Sequence, residues 1–195
     1  MSDLPSITPG IRDILDFWFL PLSHPDHGKR RDIWWQSTTY FDTEIATRFS
    51  AALDRAVAGE LDAWRASPDG ALALTLLCDQ FPRNIHRRSA KAFRGDAKAL
   101  ETARLALARG YPAVFLPEMR AFFYVPFEHS ESLADQEFAC TLFAALPGAD
   151  YLEFAAEHRD VVARFGRFPH RNEVLGRAST PDELVYLKDA KRYGQ

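Results

Sequence analysis

Three short stretches of the chain concentrate side chains able to move protons or hold an anion. The first is Pro126-Phe127-Glu128-His129-Ser130-Glu131, where an imidazole and two carboxylates follow directly behind Phe122, Phe123, Tyr124 and Phe127. Charged groups in so apolar a setting need partners, because taking an unpaired charge out of water is costly. Glu128 and His129 are therefore candidates for acid-base chemistry, with His170 as a further imidazole. The other two stretches, Asp79-Gln80-Phe81-Pro82-Arg83-Asn84 and Gly166-Arg167-Phe168-Pro169-His170-Arg171-Asn172, each set arginine and asparagine beside a Phe-Pro corner. The planar guanidinium groups of Arg83, Arg167 and Arg171 can pair with a carboxylate or phosphate through two hydrogen bonds. If the stretches converge, Arg83, Asn84, Glu128, His129, His170, Arg171 and Asn172 line one pocket for a small anionic or polar ligand. The same arginines can instead bond Glu128, Asp79 or exposed helix carbonyls and lock the corners together. The residues alone leave both accounts open.

Other chemistries find less support. Acid and base are present, but no activated nucleophile is evident. His129, His158 and His170 could in principle supply imidazoles to a metal, yet no His-Glu-x-x-His, paired Cys-x-x-Cys or calcium-loop spacing occurs, so no metal site is expected. His158 falls with Phe154, Val161 and Phe165 on the buried face of a helix, where a satisfied core histidine is the ordinary outcome. His158-Arg159-Asp160 matches a kinase catalytic string by chance, since no glycine-rich loop accompanies it.

The elements that must position these groups read as helices throughout. Thr8-Pro9 predicts a helix start, with Ile11, Ile14, Leu15, Trp18 and Phe19 at helical spacing and Pro21 beyond. Trp34 and Trp35 are adjacent and cannot share one narrow stripe; one could meet a ligand, although both flanking a core-packed helix entry is the commoner outcome. Phe41, Ile45, Phe49, Ala52, Leu53 and Ala56 repeat at three and four, which predicts a long amphipathic helix ending before Gly59. Ser67-Pro68-Asp69 announces a helix over 71–81, apolar almost all round and placed at the centre of the fold, with Pro82 as its expected end. A further helix follows Ser89 or Asp96 and stops at Gly110; 111–116 reads as a loop, and Pro117-Glu118 opens another helix. A helix beginning near Glu128 would put Glu128, Glu131 and Asp135 on one face. Ser130 or Ser132 can cap a helix running to Leu146, with Leu133, Phe138, Leu142 and Phe143 in the core and Pro147-Gly148 as the break. Helices over 151–165, stopped by Gly166, and after Ser179-Thr180-Pro181-Asp182-Glu183 complete the chain. Nothing alternates with strand period, so the fold class is all-α with roughly eight to eleven helices.

Composition narrows the partners. The 195 residues suffice for one domain spanning 1–195 with a sizeable core, since chains of this size bury about 70% of their extended surface. A net charge of −3 with scattered basic residues gives no footprint for a phosphate backbone, so nucleic acid is not an expected partner. No stretch approaches the roughly 18 apolar residues that spanning a membrane requires, and no signal peptide is evident, so the expectation is a cytoplasmic protein. Cys78 and Cys140 sit inside helical patterns as small hydrophobes and not as a disulfide framework.

The three polar stretches, together with Leu15-Asp16-Phe17-Trp18-Phe19 and Trp34-Trp35, resemble the bacterial family known as domain of unknown function 924. The likeness runs from about Ile11 to Tyr186 without a gap. It implies a helical domain similar to tetratricopeptide-repeat folds, although no repeat period is readable here. The family brings no established reaction, cofactor or partner. Three functions are thus expected to compete: a pocket for an anionic or polar metabolite, an enzyme using Glu128 with His129 or His170 in that pocket, and a protein or peptide scaffold presenting Trp34, Trp35 and the central aromatics.

Overall fold

The computed structural model describes residues 9–147 and 151–190. Eight α-helices, joined by short 3-10 turns, make up their regular structure, and the described residues contain no strand. They are α1 (Ile11–Phe19), α2 (Thr39–Val57), α3 (Pro68–Ile85), α4 (Asp96–Ala108), α5 (Pro117–Glu128), α6 (Leu133–Ala144), α7 (Tyr151–Phe165) and α8 (Pro181–Tyr186). The all-α class read from the sequence is what forms.

Helix starts follow local chemistry. Ser67 accepts from the Gly70 amide at 3.1 Å with Pro68 in the first turn, and Thr38 accepts from the Phe41 amide at 3.2 Å. Thr180 and Glu183 form a reciprocal capping box, which satisfies two amide groups that a helix start leaves without partners. The first helix departs from expectation, for its cap is Gly10, whose amide donates to Asp13 at 2.8 Å. Thr8 and Gly148 lie outside the described residues.

α3 forms the axis of the core. Every residue from Gly70 to Asn84 is buried, because α1, α2, α4 and α5 all pack around it. Leu72, Leu74, Leu76, Leu77 and Phe81 are fully buried, each contributing about 2 kcal/mol of apolar transfer. The helix does not stop at Pro82 as expected but runs on to Ile85. Proline removes one amide donor, that for the carbonyl of Cys78, and this carbonyl is the atom against which Gly95 packs. A Cβ at Gly95 would lie 2.1 Å from the Cys78 oxygen, so only glycine lets the start of α4 come so close. The consequence is functional as well as structural, because Asp96, the next residue, is thereby delivered to Arg83.

A second layer is formed by α5, α6 and α7, packed around Ala121, Val125, Phe127, Phe143 and Tyr151. Glu128 is the last residue of α5 and not the first of α6, so Glu128, Glu131 and Asp135 do not share a helical face. The chain breaks there because the Gln136 side-chain amide donates to the carbonyls of Glu128 at 2.5 Å and Ser130 at 2.6 Å, groups a continuing helix would have used itself. Leu133 and Phe138, expected in the core, are about two-fifths exposed, at 41% and 42%. The Cys78 and Cys140 thiols are free, and burial pushes the Cys78 thiol up to about 12, as befits an unreactive core group. No helix among the described residues is long and apolar enough to cross a membrane.

Candidate functional site

The C-terminal half of α3, the end of α5, one face of α7 and the segment 30–36 enclose a cleft of about 420 Å³. That volume lies within the usual range for small-molecule sites, about 300–1,000 Å³. Its floor is built where α3 and α5 end side by side. Continuation of α3 through Pro82 places Asp79 and Arg83 one turn apart, so that their side chains meet at 3.1 Å. On the other side, Asp79 Oδ1 accepts from His129 Nδ1 at 2.7 Å, and the Gln80 amide donates to Asp79 Oδ2.

The Asp79 carboxyl is 1% exposed, and burial alone would raise its pKa. The adjacent Arg83 and His129 outweigh burial and hold it at about 2, so it is ionised. An ionised Asp79 requires the proton of His129 on Nδ1 and leaves the lone pair on Nε2. Burial, with the positive Arg83 and Arg171 nearby, lowers the His129 pKa and keeps the imidazole neutral. Nε2 meets no hydrogen-bonding group among the described residues, yet it is not sealed off from solvent, and His129 lines the cleft.

Glu128 faces the same space and behaves oppositely. Burial and the neighbouring Asp79 charge push its carboxyl up to about 8, against a smaller pull from Arg83. His158 Nδ1 lies 3.1 Å from Glu128 Oε1 and also donates to the Phe154 carbonyl at 2.8 Å. This contact is not an ion pair at neutral pH, because burial holds His158 down at about 3 while Glu128 keeps its proton. The floor thus sets a neutral imidazole with a bare nitrogen beside a protonated carboxyl, two groups whose environments drive them to opposite proton-transfer roles.

The mouth has a different character. Arg31 donates to the carbonyls of Phe17 at 2.9 Å and Trp18 at 2.8 Å, and Trp34 Nε1 to that of Trp18 at 2.9 Å, which ties the segment to the end of α1. Both tryptophans border the cleft, but Trp34 is held inward and Trp35 carries the exposed ring, since neighbours on a 3-10 turn point about 120° apart. The Trp35 indole lies flat on Phe122, with centroids 5.8 Å apart and planes at 4°, and is 41% exposed. Arg30 lies over the Tyr151 ring at 5.6 Å.

The chain is similar to two things already described. The family model of a bacterial protein of unknown function (DUF924) matches residues 14–191. The chain belongs to this family. Its fold is similar to the solved structure of ATU0120, a protein of unknown function from Agrobacterium tumefaciens, at 42% identity and a TM-score of 0.83 over 92% of this chain and 97% of that one. Comparison with curated proteins returns no match.

In this DUF924 member the seven residues expected to line one pocket divide into two groups. Arg83, Asn84, Glu128 and His129 line the cleft, whereas His170, Arg171 and Asn172 are not among its lining residues. The anion that Arg83 and Arg171 both face belongs to the chain itself. Arg83 makes two hydrogen bonds to Asp96, at 2.8 and 3.1 Å, and Arg171 approaches the same carboxylate at 3.4 Å. Arg171 also donates to the His129 carbonyl at 3.1 Å, and its guanidinium lies over Phe93 at 4.6 Å and Phe168 at 4.5 Å. It therefore holds His129 in place from behind. Asn172 donates to Ser179 at 3.0 Å, and Asn84 to Asp42 at 2.7 Å. Arg167 pairs with Glu183 at 2.7 Å, and Arg177 with Glu131 at 2.6 Å. These bonds lock corners of the fold.

Beyond the residues expected there, the cleft is also lined by Arg30, Trp34, Trp35, Gln36, Gln80, Arg87, Val125, Tyr151, Phe154 and His158, of which the sequence singled out only the Trp34-Trp35 pair as a ligand contact. Tyr151, Phe154 and His158 follow at i, i+3 and i+7, so helical spacing alone put them on one face of α7. That face was legible; that it borders a cleft was not. No group of three or more His, Cys, Asp or Glu among the described residues is arranged to hold a metal ion.

Proposed function

We propose that the cleft binds a small anionic or polar metabolite, with Gln80, Asn84, Glu128 and His129 as its polar floor and Arg30 as the charge at its mouth. The observation that carries this reading is that Glu128 and His129 both line the cleft, with Nε2 of His129 left without a protein partner among the described residues. Around them Asp79, Arg83, Asp96 and Arg171 are paired with one another, while Glu128 and His129 both line the cleft. Buried polar groups are normally satisfied, and a ligand or solvent in the cleft supplies what the protein does not.

Thermal-shift screening of a panel of small anionic and polar metabolites, with calorimetry on the hits, tests the reading. The expected result is a ligand whose affinity falls at least about tenfold, roughly 1.4 kcal/mol, in His129→Gln but not in His170→Gln. A hit indifferent to His129→Gln, or no hit at all, counts against it.

The Asp79-His129 pair favours a second reading, acid-base catalysis on the bound metabolite. Asp79 orients the imidazole, His129 Nε2 accepts a proton, and the Glu128 carboxyl donates one. Turnover of a cleft ligand that survives in His170→Gln and is lost in Glu128→Gln, with binding retained, supports it. The scaffold reading draws less from the structure, because Trp34, Phe122, Phe123 and Phe127 are buried where it needs them exposed.

A further inference from the structure

The two ends of the cleft differ in chemistry, and α7 measures the distance between them. Tyr151, Phe154 and His158 lie along one face of that helix, and Tyr151 to His158 is seven residues, about 10 Å of helical rise. Tyr151 marks the mouth, where its ring meets the Trp35 indole at a centroid distance of 5.9 Å and carries the Arg30 guanidinium above it. His158 marks the floor, beside Glu128. Phe154 lies between, 44% exposed and lining the cleft.

Charge at the mouth is not balanced as it is at the floor. Arg83 and Arg171 are matched by Asp79 and Asp96, and Arg87 by Asp42. Arg30 makes no ion pair with a carboxylate among the described residues; its contact is with the Tyr151 ring. A guanidinium in that position offers paired donors to an incoming anion. The Trp35 ring lines the cleft, is held by Phe122 and is 41% exposed, which makes it a pre-ordered stacking surface.

We infer that the cleft takes a planar ring carrying a carboxylate: the ring against Trp35 and Phe154, the carboxylate at Arg30, and a polar substituent across the ring at His129 and Glu128. Opposite substituents on a six-membered aromatic ring are separated by less than the roughly 10 Å of α7 between Tyr151 and His158, so such a ligand is not too long for the cleft. The flat indole selects for planarity, because a puckered ring loses stacking contact. A hydroxyl or amino group at the floor can donate to His129 Nε2 and accept from the Glu128 carboxyl. This inference rests on the small-metabolite reading of the cleft and narrows it to one substrate class.

Three probes test it by calorimetry at neutral pH: 4-hydroxybenzoate, trans-4-hydroxycyclohexanecarboxylate and 4-hydroxybenzyl alcohol. The expected result is that 4-hydroxybenzoate binds at least about tenfold more tightly than either of the others, the margin one good stacking or charge contact supplies. Arg30→Gln should bring it down to the level of the alcohol. Trp35→Leu should bring it down to the level of the cyclohexane acid, while Trp35→Phe, which keeps a flat ring, should retain most of the margin and guards against a loss caused by misfolding. Equal binding of 4-hydroxybenzoate and trans-4-hydroxycyclohexanecarboxylate would overturn the planar-ring inference while leaving an anion site standing. Absence of binding by all three overturns it as well. The broader reading then falls only if the non-aromatic anions of the metabolite panel also fail.

Discussion

Glu128→Gln isolates the most perturbed group of the cleft and gives a signed prediction. In the unfolded chain this carboxyl titrates near its ordinary value of 4.5, whereas in the folded protein burial and Asp79 hold it up at about 8. Between those values the unfolded state has released the proton and the native state has kept it, so stability falls as pH rises. At about 1.4 kcal/mol for each unit of pH, the wild type should lose on the order of 3 kcal/mol between pH 5 and pH 7 through this one group. Glutamine has nearly the same shape and no proton to lose, so the variant lacks that slope. The groups facing Glu128 include Asp79, Arg83 and His158, and each is common to both proteins, so their own titrations largely cancel in the difference. Urea unfolding at pH 5, 6 and 7 reads the difference directly. Glu128→Gln should gain steadily on the wild type as pH rises. A difference independent of pH would mean that Glu128 is already ionised in the native state, and the proposed acid would not exist.

Other perturbations probe the surroundings of the same site. Asp79→Ala leaves Arg83 with Asp96 but strips His129 of its orienting carboxylate; denaturant unfolding should show a loss of about 3 kcal/mol, near the lower range for breaking a buried pair. Gly95→Ala forces a methyl group against the Cys78 carbonyl and should cost about 2–3 kcal/mol in the same assay, while Ala99→Gly in the same helix should cost only about 1. For His158 and His170, burial holds both imidazoles down at about 3, below the value of an unfolded histidine, so their contribution to stability is present above about pH 6.5 and is lost progressively as pH falls toward 3. Replacing either with glutamine should flatten the acid limb of the stability profile, as followed by circular dichroism. Thr180→Ala breaks the capping box of α8 and should lower stability by about 1 kcal/mol without altering ligand binding.

The helical framework was legible because it is written locally. Ser67-Pro68, Thr180 with Glu183, and Gly166 in its left-handed conformation mark ends that backbone chemistry fixes within a few residues. Pro82 misled because a proline cannot say whether its lost hydrogen bond will be tolerated. Here the freed Cys78 carbonyl meets Gly95, thirteen residues after the proline, and the helix continues. Ser132 marked the start of α6, but the end of α5 at Glu128 was hidden for a similar reason, since it depends on the Gln136 side chain reaching back to two carbonyls. Of the candidate site, residue types were readable and partners were not. Nothing near Arg83 or Arg171 in sequence announces that both face Asp96, a residue that resembles any first-turn acid. Arg30 was equally silent, and the Trp34-Trp35 pair did not say which ring would stay exposed, because the placement of this segment follows from Trp34 and Arg31 anchoring to the end of α1.

The account rests on His129 opening its Nε2 into a ligand cleft, and nitrogen-15 spectroscopy of the histidine side chains tests that most directly. At neutral pH His129 should appear as the tautomer protonated on Nδ1, with a bare Nε2 whose resonance moves when a cleft ligand from the metabolite panel is titrated in, while His170 stays unmoved. A protonated Nε2 on His129, or ligand-induced shifts confined to His170, would contradict it.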